Sequence, residues 1–276
     1  MADESGALSA SNSRIKQLRR LSGRRSARHA DGEFVIEGPV LVSEALEAGV
    51  AVRTVFVDAA HDGLRERFRH LGATHGVETL EVASGVLGSV LSAVSPQPVC
   101  AIAETTLDRP LKDVAQMAAD RSRPLLVLVD VNDPGNAGTL LRAAESSGAA
   151  GLVLLGNSVD LYNPKVVRGS AGSMFRLAIA VGSDMSLDEA LDALRRRGIA
   201  SVAAVARGGV SHLEAPLDGA MAIVLGNEAH GLDEAAIAAC DSAVTITMDG
   251  ATESLNVAMA GTVLAFESMR RRLTAT

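Results

Sequence analysis

Apolar runs alternate with helical periodicity along almost the whole chain, and the alternation falls into two series. In the first series Phe34-Val35-Ile36-Glu37, Thr54-Val55-Phe56-Val57, Thr79-Leu80-Glu81-Val82 and Val99-Cys100-Ala101-Ile102-Ala103 read as strands. Runs rich in β-branched and aromatic residues, bounded by turn residues, suit a pleated and half-buried surface. A basic helix from Arg14, helices over 39–48 and 64–71, and another from Ser84 are expected between them. Residues 14–105 are therefore expected to form a small α/β domain. Residues 1–13, small and polar, read as a disordered tail, and the polar stretch 106–123 with its weak apolar stripe reads as a linker.

The second series, 124–276, carries strands at 125–131, 151–155, 176–181, 199–206, 221–225 and 243–247 with helices between most of them. These runs are continuously apolar, the pattern of parallel strands buried on both faces, so an α/β fold with a parallel sheet is predicted. The last helix, from Ser254 to about Arg272, places Leu255, Met259, Thr262, Phe266 and Met269 on one stripe. Its small residues Ala258, Ala260, Gly261 and Ala265 are suited either to another copy's helix or to the protein's own sheet.

Composition changes this picture in two places. With 276 residues, 47% of them hydrophobic, the chain can fill two cores without staples. Cys100 and Cys240 are far apart, in apolar surroundings and without metal-ligand spacing, so they read as buried free thiols in a reducing, cytoplasmic setting. There is no signal-like apolar segment at the start and no run that would span a membrane. The net charge of -7 argues against a generally sticky nucleic-acid binder, but its distribution is uneven. Arg14, Lys16, Arg19, Arg20, Arg24, Arg25 and Arg28 follow one another with no acidic residue between them. That run is either a solvated helix face or a phosphate-contacting surface.

Three polar, glycine-containing loops follow strands of the second series, where open parallel sheets bind ligands. The first is Asn132-Asp133-Pro134-Gly135-Asn136-Ala137-Gly138, with Arg142 in the first turns of the helix that follows; the second is Leu225-Gly226-Asn227-Glu228-Ala229-His230-Gly231-Leu232; the third runs from Met248 through Ser254-Leu255-Asn256. Each admits a plain structural reading: Gly135 and Gly138 as turn residues, Asn136 and Ser254 as helix caps, Glu228 as a surface carboxylate and His230 as a loop histidine. Arg142 resists one. A cation near a helix N-terminus is unfavourable unless an anion joins it, which points to a phosphate.

Taken together the three loops resemble the three motifs of the SpoU (TrmH) family of RNA ribose 2′-O-methyltransferases, within the SPOUT superfamily. DPGNAGTLLRAA is similar to the first motif, VLGNEAHGL to the second and ITMDGATESLNVAMA to the third, and NPKVVRGSAGSMFRL at 163–177 is similar to a segment these enzymes carry. FVIEGPVLVSEALEAG resembles their substrate-binding domain, of the fold of an L30e-like ribosomal protein; Pro98 stands where the pattern would have glycine.

The resemblance implies a trefoil knot in the second domain, a homodimer, and S-adenosylmethionine held by Leu225, Gly226, Asn227, Ile246, Met248 and Leu255, with Gly226, Ile246 and Leu255 against its adenosine. It implies catalytic roles for Arg142, Asn136, Glu228, Ser254 and Asn256; no metal is expected, since no second histidine or carboxylate pair stands at metal-ligand spacing. Arg19, Arg20, Arg24, Arg25 and Arg168 are the expected RNA contacts. A guanidinium holds its proton tenaciously and is a costly base. Arg142 is therefore expected to grip the target phosphate and steady the developing oxyanion, with the proton passing to phosphate or water. Ribosomal RNA is favoured over transfer RNA because of the separate first domain. An antibiotic-resistance rRNA methylase and a catalytically silent RNA-binding protein remain alternatives. A nicotinamide enzyme is excluded by the missing glycine fingerprint and ribose-binding acid.

Overall fold

The computed structural model describes residues 6–92, 95 and 97–274. In chain order its elements are α1 (Ser13–Gly23), α2 (Arg25–Asp31), β1 (Glu33–Glu37), α3 (Pro39–Glu47), β2 (Val52–Asp58), α4 (Asp62–His75), β3 (Glu78–Val82), β4 (Val99–Glu104), α5 (Leu111–Arg121), β5 (Leu125–Val129), α6 (Pro134–Ser146), β6 (Gly151–Leu155), α7 (Pro164–Gly169), β7 (Ala178–Gly182), α8 (Leu187–Arg195), β8 (Ala200–Ala204), β9 (Val210–Ser211), β10 (Met221–Leu225), α9 (Glu234–Ala239), β11 (Ser242–Thr245) and α10 (Val257–Thr274). They form two units: Met1–Thr106 with Asp160–Phe175, and Leu107–Val159 with Arg176–Thr276. No helix among the described residues is long and apolar enough to cross a membrane.

In the first unit the sheet order is β1-β4-β2-β3, with β4 antiparallel to both neighbours and β2 parallel to β3. Helix α1 starts where the Asn12 side chain accepts from the Arg14 N–H, and it buries Ile15, Leu18 and Leu21 at helical spacing while Lys16, Arg19 and Arg20 stay exposed. Phe34, Phe56 and Phe68 fill the core. Three expectations are corrected. Part of the expected tail is ordered: Ala7 is buried, and Leu8 lies beside β3, its N–H donating to the Glu81 carbonyl at 2.8 Å. The helix expected from Ser84 is a single 3-10 turn at Leu87–Ser89. The segment Asp160–Phe175 completes this unit rather than the second, with α7 against β1 and Tyr162 beside Phe34, ring centroids 4.9 Å apart. Its Asp160 carboxylate accepts 2.8 and 2.6 Å hydrogen bonds from the buried Arg28.

The second unit is a seven-stranded parallel sheet of order β7-β6-β5-β10-β8-β11-β9. The expected linker contains α5, whose Val114, Ala115 and Ala118 are fully buried against β6 and β7; alanine-rich burial leaves only a faint apolar stripe. Helix α10 also turns the other way from expectation. Its buried face is mostly the small one, Ala258, Gly261, Ala265 and Ser268 with Leu264 and Glu267, while Met259 is 60% exposed and Phe266 38%. A Cβ on Gly261 would lie 2.3 Å from Leu140 and 2.7 Å from Leu225, so the glycine serves close packing on α6 and β10 of the same chain. Cys100 is buried, its thiol pushed well above the ordinary range by burial and then by Glu37, whereas Cys240 is only half-buried.

Candidate functional site

Three parallel strands, β5, β10 and β11, deliver their carboxyl-end loops to one region of the second unit. Strand β5 stops at Val129 because Asp130 takes a left-handed backbone (φ 54) and its carboxylate accepts from the Asn157 N–H at 2.7 Å. The chain then enters α6 through Asp133, which caps the helix by accepting from the Asn136 N–H at 2.8 Å, with Pro134 in the first turn. Asp133 therefore holds the capping role considered for Asn136. The Asn136 side chain is free to face the loop after β10.

There Glu228 is the hub. Its carboxylate accepts from the backbone N–H of Asp133 at 3.0 Å and of Asn132 at 3.3 Å, and from the Asn136 amide at 3.1 Å. Partial burial alone would raise its pKa, but these donors, led by the Asn136 side chain, hold it below the ordinary carboxylate value. The Asn136 carbonyl in turn accepts from the Asn256 amide at 3.0 Å. Asn256 itself caps α10, accepting from the Ala258 and Met259 N–H groups, so the capping role considered for Ser254 falls two residues later. Asn256, Asn136 and Glu228 thus form a continuous relay linking all three loops. Asn227 braces it by donating to the Asp130 carbonyl at 2.9 Å.

Beside this relay lies a cleft of about 460 Å³ lined by all six of Leu225, Gly226, Asn227, Ile246, Met248 and Leu255, and by Glu228 and Ser254. Its remaining wall includes Val205, Ala206 and Arg207, which follow β8, and Ile237, Val257 and Leu264. The β8 loop escaped the sequence reading because it carries no motif, although it too follows a parallel strand of the same sheet. Gly226 departs from its expected reason. A Cβ there would meet the backbone of Gly231 and Leu232 within 2.4 to 2.5 Å, so the close approach is the loop's own.

Arg142 sits eight residues after Pro134, more than two turns into α6 rather than in its first turns, so the helix N-terminus is not what its charge opposes. It is exposed on the stripe of Gly135, Thr139 and Ser146, and among the described residues it has no hydrogen-bond or ion-pair partner. Ser254 is also exposed. In the first unit the five expected RNA contacts divide. Arg19 and Arg24 are exposed without a partner among the described residues; Arg20 pairs with Asp31 and Arg25 donates to His29 at 3.3 Å. Arg168 is tied to the buried Glu37 at 2.7 Å and to the Ser92 hydroxyl at 3.0 Å, which gives it a structural employment the sequence did not reveal. Arg28, from the same basic run, is buried on Asp160.

The model of the SpoU rRNA Methylase family matches residues 123–266, and that of the MRM3-like substrate binding domain matches 12–101. A 23S rRNA (uridine(2479)-2′-O)-methyltransferase of Streptomyces viridochromogenes is 33% identical over 95% of this chain and 91% of its own. The 23S rRNA (guanosine(2553)-2′-O)-methyltransferase RlmP of Bacillus subtilis is 27% identical over 94% of this chain and 96% of its own. Among solved structures, an AdoMet-bound rRNA methyltransferase from Sinorhizobium meliloti superposes with a TM-score of 0.82 at 28% identity, covering 95% of both chains. With the family model spanning more than half of its length and a relative of 33% identity along nearly all of it, the chain belongs to the SpoU rRNA methylase family.

Proposed function

We propose that the protein is an S-adenosylmethionine-dependent ribose 2′-O-methyltransferase acting on ribosomal RNA in the cytoplasm. The observation that carries this reading is the adjacency of two things: a mostly apolar cleft of a size suited to a nucleoside, and the relay Asn256–Asn136–Glu228 whose terminal carboxylate lines that same cleft. Leu225, Ile246 and Leu255 fit an adenine face, and the polar loop after β10 fits the rest of the donor. When bound, the donor supplies an electrophilic methyl group on a sulfonium, a good leaving group. What remains for the chain's own residues is to hold a ribose 2′-oxygen in line and to tolerate the charge that develops on it.

Arg142 suits that work because its guanidinium is exposed and uncommitted, free to take a phosphate of the target strand. Glu228, kept anionic by its donors, fixes the Asn136 amide; Asn136 and Asn256 then present a defined edge to the ribose, and Ser254 stands at the cleft wall beside them. The exposed Arg19 and Arg24 of the first unit extend the contact to more of the RNA backbone. A homodimer of the second unit would form on the outer face of α10, where Met259 and Phe266 are exposed, and not on the small-residue face that is already spent within the chain.

The test is methyl transfer from labelled S-adenosylmethionine to ribosomal RNA from cells lacking the gene, followed by mapping of 2′-O-methyl sites. Arg142→Ala should lower transfer by at least about a hundredfold, the order seen when a charge-stabilising donor is removed, while donor affinity stays within about twofold. A folded variant that loses donor binding as well would refute the role given to Arg142. A wild type that binds RNA but never transfers a methyl would favour the silent RNA-binding alternative.

A further inference from the structure

Among the described residues that line the cleft, Arg207 is the one lysine or arginine. It follows β8, outside the three loops with motif character. Its ion-pair partner is Glu253, at 3.3 Å, and the two side chains are 76% and 85% exposed. An ion pair so open to water contributes little, because solvent screens the attraction and two long side chains must be ordered to make it. Arg207 is therefore a cation held at the cleft wall by a partner it can readily exchange. Glu228, by contrast, is committed to three donors and stays in place.

A sulfonium methyl donor of the amino-acid type carries one anionic group, its α-carboxylate, and two cationic ones. An apolar cleft with a fixed carboxylate in its wall repels that anion unless a cation meets it. We infer that Arg207 reads the α-carboxylate of the methyl donor, with Glu253 standing in for that carboxylate when the donor is absent. This rests on the donor reading given above. It makes Arg207 a specificity-determining residue: nucleosides with a free carboxylate bind, and those without one forfeit the contact. A guanidinium takes either carboxylate by the same charge-assisted contact, which is what allows the exchange.

Calorimetric titration of the intact protein with S-adenosylmethionine and with decarboxylated S-adenosylmethionine tests this without reference to turnover. The wild type should prefer the carboxylated ligand by about tenfold, the scale of one charge-assisted contact. Arg207→Ala should remove that preference by weakening S-adenosylmethionine alone, Arg207→Lys should restore part of it, and Glu253→Gln should tighten S-adenosylmethionine a fewfold while leaving the decarboxylated ligand unchanged. Arg207 is exposed, so these variants keep the fold. Equal affinity of the wild type for the two ligands, or an equal loss for both in Arg207→Ala, would overturn the assignment while sparing the donor reading. Failure of the wild type to bind either ligand would overturn both.

Discussion

Replacing Gly226 by alanine separates two reasons for a glycine in a ligand-binding loop. Position 226 does not have a positive φ, so alanine meets no local backbone strain there. The difficulty is elsewhere: the new Cβ would stand 2.4 Å from the Gly231 carbonyl carbon, 2.5 Å from its oxygen and 2.5 Å from the Leu232 nitrogen. Atoms in comfortable contact are about 3.5 Å apart, so this backbone must recede by roughly 1 Å. All three colliding atoms are backbone, and no side-chain rotation relieves them. Overpacking of this kind costs about 1–3 kcal/mol, which for a chain of this size lowers Tm by roughly 3–10 °C. The displaced residues belong to the cleft wall, and the Gly231 N–H to Asn227 carbonyl bond of 2.9 Å goes with them. Donor affinity should fall by about tenfold or more, and methyl transfer by about a hundredfold, the penalty of misplacing a reacting group by 1 Å. Thermal melts of the ligand-free protein and calorimetry with S-adenosylmethionine measure the two effects. Gly231→Ala is the contrasting variant: its φ of 67 is strained for alanine by about 1–2 kcal/mol, but nothing lies within 4 Å of the added carbon. A Gly226→Ala protein with an unchanged ligand-free Tm and weakened donor binding would refute the steric account, since the glycine would then be serving the ligand and not its own loop.

Two further outcomes follow from the exposed surfaces. Neutralising Lys16, Arg19 and Arg24 together should weaken RNA binding and reduce the slope of log affinity against log salt by roughly 0.7–0.9 for each phosphate no longer neutralised, while neutralising Arg20, already paired with Asp31, should change it less; filter binding across a salt series measures both, and an unaltered slope makes the run a solvated face. Met259→Glu combined with Phe266→Glu should convert a dimer to a monomer in light scattering at micromolar concentration, because both side chains are exposed in the single chain; a wild type that is already monomeric and active would dispose of the dimer.

The strands were legible because their signal is local: β5, β6 and β10 are unbroken apolar runs, and burial on both faces of a parallel sheet produces that pattern directly. The three loops were legible for a related reason, since the carboxyl end of such a strand is where chemistry collects. What the sequence hid depends on partners far along the chain. Small residues make up much of the buried faces of α5 and α10, and their burial leaves little hydropathy contrast; Met259 and Phe266, prominent in the apparent stripe of α10, turned out to face outward. Arg168 was expected among the RNA contacts, but Glu37, distant in sequence and buried in β1, claims it. The relay from Asn256 to Glu228 joins residues from three separate loops, and only the parallel strand order brings them together.

The assignment of Asp160–Phe175 to the first unit bears on how the protein can be made and taken apart. Two of its members, Asp160 and Tyr162, meet Arg28 and Phe34, which emerge from the ribosome long before them. Until they arrive, Arg28 can bond the Leu21 carbonyl, at 2.8 Å in the finished structure, but lacks its counter-charge. The contacts of the first unit are therefore complete only once α5, β5, α6 and β6 of the other unit have been translated. A stop codon at the end of β4 would yield a fragment that lacks Asp160 and Tyr162, the partners of Arg28 and Phe34. No single cut in the gene separates the two units.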